Sequence, residues 1–107
     1  MRSEFSINNL DNNDMITESQ ILAAISEATG VPIPDIEGRC RKDPICEARH
    51  LYAYFLRRES GLTYHQIAAI VKRDHSSCHH SIMEIERFRS YEDERILDLI
   101  WKIRKML

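Results

Sequence analysis

The sequence predicts an all-α, compact domain of five to six helices that contains a helix-turn-helix. Three observations predict it. Apolar residues recur at helical spacing in one segment after another, as at Ile21, Leu22, Ile25 and Ala28. Helix-start signals stand at the heads of those segments, and glycine or proline stands after several of them. No segment alternates apolar and polar residues as a half-buried strand would.

The chain has 107 residues, 43% of them hydrophobic, which is enough for one domain with a single core. No apolar run approaches the roughly 20 residues that cross a bilayer. The polar start, Met1 to Asn13, lacks the apolar stretch of a signal peptide. A soluble, cytoplasmic protein with no membrane partner is expected. Cys40, Cys46 and Cys78 are odd in number and irregularly spaced, so free thiols are expected rather than a disulfide framework.

In order, residues 1–16 read as a polar tail and 17–107 as the folded domain. Thr17 and Gln20 form a capping-box pair for the first helix, which Gly30 stops. Pro32 and Pro34 force a turn, with one short helical turn over 34–37. Gly38 to Lys42 is a basic loop. Asp43 then reads as an N-cap with Pro44 at the first helical position. The long helix that follows extends to about Ser60 and buries Ile45, Ala48, Leu51, Tyr52, Phe55 and Leu56. The remaining aromatics nearby, with Trp101, read as core and rim.

Gly61 precedes a second capping-box pair, Thr63 and Gln66, for a short helix whose core face is Ile67, Ile70 and Val71. Lys72 and Arg73 form a turn, and Asp74 caps a helix running to about Arg89. On it Cys78, Ser81, Ile82 and Ile85 share the inward face. This leaves Asp74, His75, Ser76 and Ser77 at an exposed tip. The last helix is capped by Ser90 and buries Ile96, Leu97, Ile100, Ile103 and Leu107.

The net charge of −2 is unevenly spread. Residues 1–37 carry seven acids and one base, whereas residues 38–89 carry ten bases and six acids. Positive charge therefore gathers around the helix-turn-helix. A helix that opens with short polar side chains after a basic turn suits end-on insertion into a DNA major groove. Asp74 can accept from a cytosine amino group, and His75 can donate to a purine or pack on a thymine methyl. The hydroxyls of Ser76 and Ser77 can bond base edges or phosphates. Arg57 and Arg73 can hold phosphates.

From Cys46 to Ile85 the pattern resembles the C-terminal DNA-binding domain of the bacterial replication initiator DnaA. Glu47-Ala48-Arg49 opens the long helix, Gly61-Leu62-Thr63 precedes the short one, and Arg73-Asp74-His75-Ser76-Ser77 opens the next. The family's signature at the last point is Arg-Asp-His-Thr/Ser-Thr. His80 falls where the family has a histidine. The resemblance covers about residues 17–107. It implies a Trp-repressor-like helical domain that reads a short double-stranded DNA site of the DnaA-box kind. The implied role is in bacterial or phage replication initiation or its regulation. Replication or regulatory proteins are implied as further partners.

Asp74, His75, Ser76 and Ser77 are the implied base-contacting residues. Arg39, Arg41 and Lys42, in the basic loop, are the candidates for the neighbouring minor groove. Arg57, Thr63, Arg73 and His80 are the candidates for the DNA backbone. Lys72 stands where the family usually has a glycine, which predicts a turn of different shape. Asp43 sits close to where the family tends to place its minor-groove arginine.

Other chemistry is expected to be absent. The only glycines are Gly30, Gly38 and Gly61, so there is no phosphate-binding loop and no ATP-driven activity in this stretch itself. The chain reads as a stand-alone relative or a piece of a longer protein. His75, Cys78 and His79 share spacing suited to zinc, but they supply three ligands and Cys78 faces inward, so no metal or cofactor is expected. Ser76 beside His79 or His80 on one exposed helix offers no catalytic cleft, and no enzyme is expected. The alternative function is a protein-interaction or transcription-regulatory module that keeps the fold with weak or no DNA binding. The acidic first third favours it.

Overall fold

The computed structural model describes residues 16–39 and 42–107. Six helices and no strand are found among them: α1 (Glu18–Thr29), α2 (Ile33–Glu37), α3 (Asp43–Arg58), α4 (Tyr64–Val71), α5 (His75–Ser90) and α6 (Glu94–Met106). The sequence-predicted tail lies outside the described residues except at Ile16. That residue is partly buried, and its carbonyl accepts a hydrogen bond from the Ser60 hydroxyl at 2.6 Å.

The local rules place most helix ends. The Thr17 side chain accepts from the Gln20 amide while the Gln20 side chain accepts from the Thr17 amide. Thr63 and Gln66 repeat the arrangement at α4. Each reciprocal pair satisfies two amides that a bare helix start would leave unpaired. Gly30 ends α1 in the left-handed region, as expected.

Two expected caps are displaced. Lys42, in extended backbone, precedes α3, so Asp43 is already its first helical residue rather than its N-cap. An acid there still faces the positive end of the helix dipole. Ser90 closes α5, its hydroxyl donating to the Arg87 carbonyl, and Asp93 caps α6 by accepting from the Ile96 amide at 3.0 Å. Three acids in a row offered several starts for α6, and spacing to the Ile96 stripe selected the last that could cap.

α3 runs through the middle and packs against α1, α2, α4 and α5, while α6 closes over α1 and α5. Ala48, Leu51, Tyr52, Phe55 and Leu56 are buried as expected, and Ala53 and Tyr54 join them because neighbours surround the helix on several sides. Burying one such aliphatic or aromatic side chain contributes about 1.5–3 kcal/mol. On α6, Ile96, Ile100 and Ile103 are buried, but Leu97 is 38% exposed and Leu107 only partly covered. Leu97 was expected in the core. Its position next to Ile96 turns it past the edge of the buried stripe. Trp101, 58% exposed, belongs to the rim with the Lys105 ammonium 4.3 Å from its ring centre.

Arg49 ties α2 to α3. It is 8% exposed, and its guanidinium donates to the Ile36 carbonyl at 2.9 Å and the Asp35 carbonyl at 3.0 Å. The short α2 thus has its last carbonyls satisfied from a neighbouring helix.

Candidate nucleic-acid interface

α4, the turn 72–74 and α5 form the helix-turn-helix. The turn is set by Lys72, which adopts φ 58° and ψ 44°, the left-handed conformation that glycine reaches at least cost. The Arg73 amide then returns to the Ala68 carbonyl at 3.2 Å, closing the helix end. The lysine thus takes a backbone conformation that is open to glycine at less cost.

Asp74 follows in extended backbone and caps α5, its Oδ1 accepting from the Ser77 amide at 2.7 Å. The Ser77 amide, and then its hydroxyl, hold the Asp74 carboxyl below the usual carboxylate range. It is therefore an ionised acceptor at neutral pH. Asp74, His75, Ser76 and Ser77 are all exposed. Behind them Cys78, Ile82 and Ile85 are buried and Ser81 is half-buried, so the inward face of α5 is the one the spacing gave. Burial pushes the Cys78 thiol up, which keeps it protonated and inert.

The tip carries an aromatic cluster that the sequence did not single out. Tyr64, the first residue of α4, meets the His75 ring edge-on at 5.5 Å and the His79 ring at 5.2 Å. The Arg57 guanidinium lies 4.8 Å from the centre of the same ring. His65 and His75 stack at 4.5 Å with their planes tilted by 37°. His75 and His79 are one turn apart on α5, and Tyr64 and His65 open α4. The clue available in the sequence was that both helices of the motif begin with ring-bearing residues.

The candidate backbone contacts divide. Arg57 donates to the Leu62 carbonyl at 2.9 Å, so it braces the α3–α4 turn and stands against Tyr64 beside the tip. Arg73 donates to the Gly38 carbonyl at 3.0 Å and borders a groove with Arg39, Lys72, Asp74 and Ser77. Gly38, at the head of the basic loop, and the start of α5 are thereby joined. Thr63 is exposed, its hydroxyl oxygen capping α4. His80 is exposed one turn beyond Ser76 and meets the His50 ring edge-on at 6.1 Å. His50 itself bonds the Ser81 hydroxyl at 2.8 Å, and burial, with His80 nearby, lowers its pKa. Lys42 is exposed at the head of α3. Arg41 lies outside the described residues.

No group of three or more histidine, cysteine or acidic side chains placed to hold a metal ion occurs among the described residues. No helix there is long and apolar enough to cross a membrane.

Comparison with known proteins places these elements in a family. The family model described as "Bacterial dnaA protein helix-turn-helix" matches residues 19–85. The chain is similar to the Chromosomal replication initiator protein DnaA of Borreliella burgdorferi, 34% identical over 97 residues, covering 87% of this chain and 20% of that protein. It is 40% identical over 75 residues to that of Borrelia garinii subsp. bavariensis, covering 66% of this chain and 16% of the relative. Against that of Borrelia hermsii it is 33% identical over 101 residues, covering 91% and 21%. The chain thus spans about a fifth of the length of these relatives.

Proposed function

This chain belongs to the bacterial DnaA helix-turn-helix family, and on that premise we propose that it binds a specific double-stranded DNA site in replication initiation or its regulation. The observation that carries the reading is the exposed N-terminal turn of α5, Asp74 to Ser77, held rigid by its own cap and by Cys78, Ile82 and Ile85 beneath it. A helix of this kind fits the major groove.

In this reading the ionised Asp74 accepts from a base amino group through the lone pairs that the Ser77 amide does not use. His75 and Ser76 read adjacent base edges, and Ser77 serves the cap as well as the groove. Arg57, Thr63, Arg73 and His80 hold phosphates, with Arg39, Arg41 and Lys42 directed to the neighbouring minor groove or backbone. The activity is binding, with no bond made or broken and no cofactor used.

The test is selection of binding sites from random duplex DNA with the wild type and His75→Ala. A sequence enriched by the wild type and lost or relaxed in the variant is expected. Failure of the wild type to enrich any sequence at low salt would refute the reading. Equal enrichment by both would remove His75 from the base contacts. A second reading, a protein-interaction module, is favoured by exposed Leu97 and Trp101 on α6. It predicts duplex affinity that is negligible and insensitive to salt, whereas a DNA binder loses affinity steeply with salt.

A further inference from the structure

Four left-handed residues occur among the described residues, and they divide into two kinds. Gly30 (φ 78°) and Gly61 (φ 66°) are glycines, while Lys72 (φ 58°) and Glu92 (φ 54°) are long charged residues. Both kinds serve at helix ends. At Lys72 the Arg73 amide returns to Ala68, and at Glu92 the Asp93 amide returns to Phe88, so the two turns close alike. In this conformation a side chain's Cβ crowds the following carbonyl, and glycine avoids the strain. Such strain is offset where the residue serves a role outside the turn.

For Lys72 the surroundings supply one. It immediately precedes the Arg73-Asp74 start of the recognition helix and borders the groove that Arg39, Arg73, Asp74 and Ser77 also border. It is exposed. Arg73, its neighbour, is half-buried and held to the Gly38 carbonyl, whereas Lys72 is exposed beside it. A long flexible ammonium at the start of a helix seated in the groove lies where a phosphate chain would pass. The candidates read from the sequence did not include it.

We propose that Lys72 is a DNA-backbone contact, kept in the turn despite the strain that a glycine would relieve. The inference rests on the DNA-binding reading above and adds to it a phosphate contact and a trade between turn stability and affinity. Lys72 carries no sequence information in this role; it adds grip for every duplex equally.

The experiment compares the wild type with Lys72→Gly, Lys72→Gln and Glu92→Gly. The measurements are melting temperature and affinity for a labelled mixed-sequence 30-base-pair duplex over a series of salt concentrations. Relief of left-handed strain should raise the melting temperature of both glycine variants by about 2–5 °C. Loss of one phosphate contact should lower the steepness of the log affinity against log salt plot by about 0.9, which is roughly eightfold in affinity at 0.1 M salt. Both Lys72 variants should show that loss, whereas Glu92→Gly should keep the wild-type slope. Lys72→Gln separates the charge from the backbone, since it keeps a side chain in the strained turn.

Wild-type slope in Lys72→Gly and Lys72→Gln would overturn the contact. A melting temperature lowered in Lys72→Gly would overturn the trade. Absence of any duplex binding by the wild type at low salt would sink the DNA-binding reading itself, and the contact with it.

Discussion

Tyr64 packs against the tip beside its cap and buried stripe, and replacing it by leucine tests how much the ring adds. Its ring meets His75 and His79 edge-on and carries Arg57 near its face. Each edge-to-face pair is worth about 0.5–1.5 kcal/mol beyond the area it covers. A cation on an exposed ring adds about 0.5–1 kcal/mol. The site is half-buried and the terms share one ring, so low values apply and they do not add fully. Tyr64→Leu, which keeps apolar cover over the core, should cost about 1 kcal/mol. For a domain of this size that lowers the melting temperature by roughly 5 °C.

The assay is thermal unfolding followed by circular dichroism, with duplex affinity measured well below the transition. Affinity should fall too, because His75 and Arg57 lose a common seat. Tyr64→Phe keeps the ring and should lie close to wild type in both. A melting temperature within about 2 °C of wild type for Tyr64→Leu would refute the claim that the rings hold the tip. Equal damage from phenylalanine and leucine would point to the hydroxyl instead.

Arg49→Met should cost about 2–4 kcal/mol in urea unfolding, since it removes two charge-assisted bonds to carbonyls, of which the Asp35 carbonyl keeps the Gly38 amide and the Ile36 carbonyl loses its guanidinium partner. Amide exchange over residues 33–38 should quicken with it, and a loss under about 1 kcal/mol would show that α2 is held otherwise. For His50 the sign follows from burial, which lowers its folded pKa, with His80 and Arg49 acting in the same direction and Glu84 and Glu47 against it. The unfolded chain then takes up the proton first, so stability is full above about pH 6.5 and falls as pH drops toward the folded value. His50→Gln should weaken the fall of the urea midpoint between pH 7.5 and 5.5, and parallel curves would contradict the assignment. Asp74→Asn keeps a cap for α5 but adds an amide donor, so it should leave the melting temperature nearly unchanged and alter the selected DNA sequence. An unchanged site would make Asp74 a cap alone.

What the sequence showed of this molecule was its locally determined part. Both capping boxes, the Gly30 stop, the Asp74 cap and the inward Cys78–Ile82–Ile85 stripe depend on residues within two turns of one another. Where several residues could do one job the reading slipped, as between Lys42 and Asp43 or Ser90 and Asp93, because caps compete over short distances. Contacts between helices were out of reach. The bonds from Arg49 to the end of α2 and the meeting of Tyr64 with His75 and His79 depend on how helices pack, which periodicity does not encode.

A net charge of −2 is a poor credential for a nucleic-acid binder, but where the charges stand bears on it more than their sum. Glu47 is held by Arg95, Glu59 by Arg104, Glu84 by Arg87, and Glu86 by Arg58 and Arg89. These four acids and the five arginines that hold them largely cancel one another. Around the tip the arrangement differs. Arg57 and Arg73 make their bonds to the carbonyls of Leu62 and Gly38, which fix the guanidinium without cancelling its charge. A cation fixed by a carbonyl keeps its field and loses little further freedom on meeting a phosphate. The field that an approaching duplex meets is therefore set by how the cations near α5 are partnered. Counting charges along the chain averages that surface together with acids already held by other arginines.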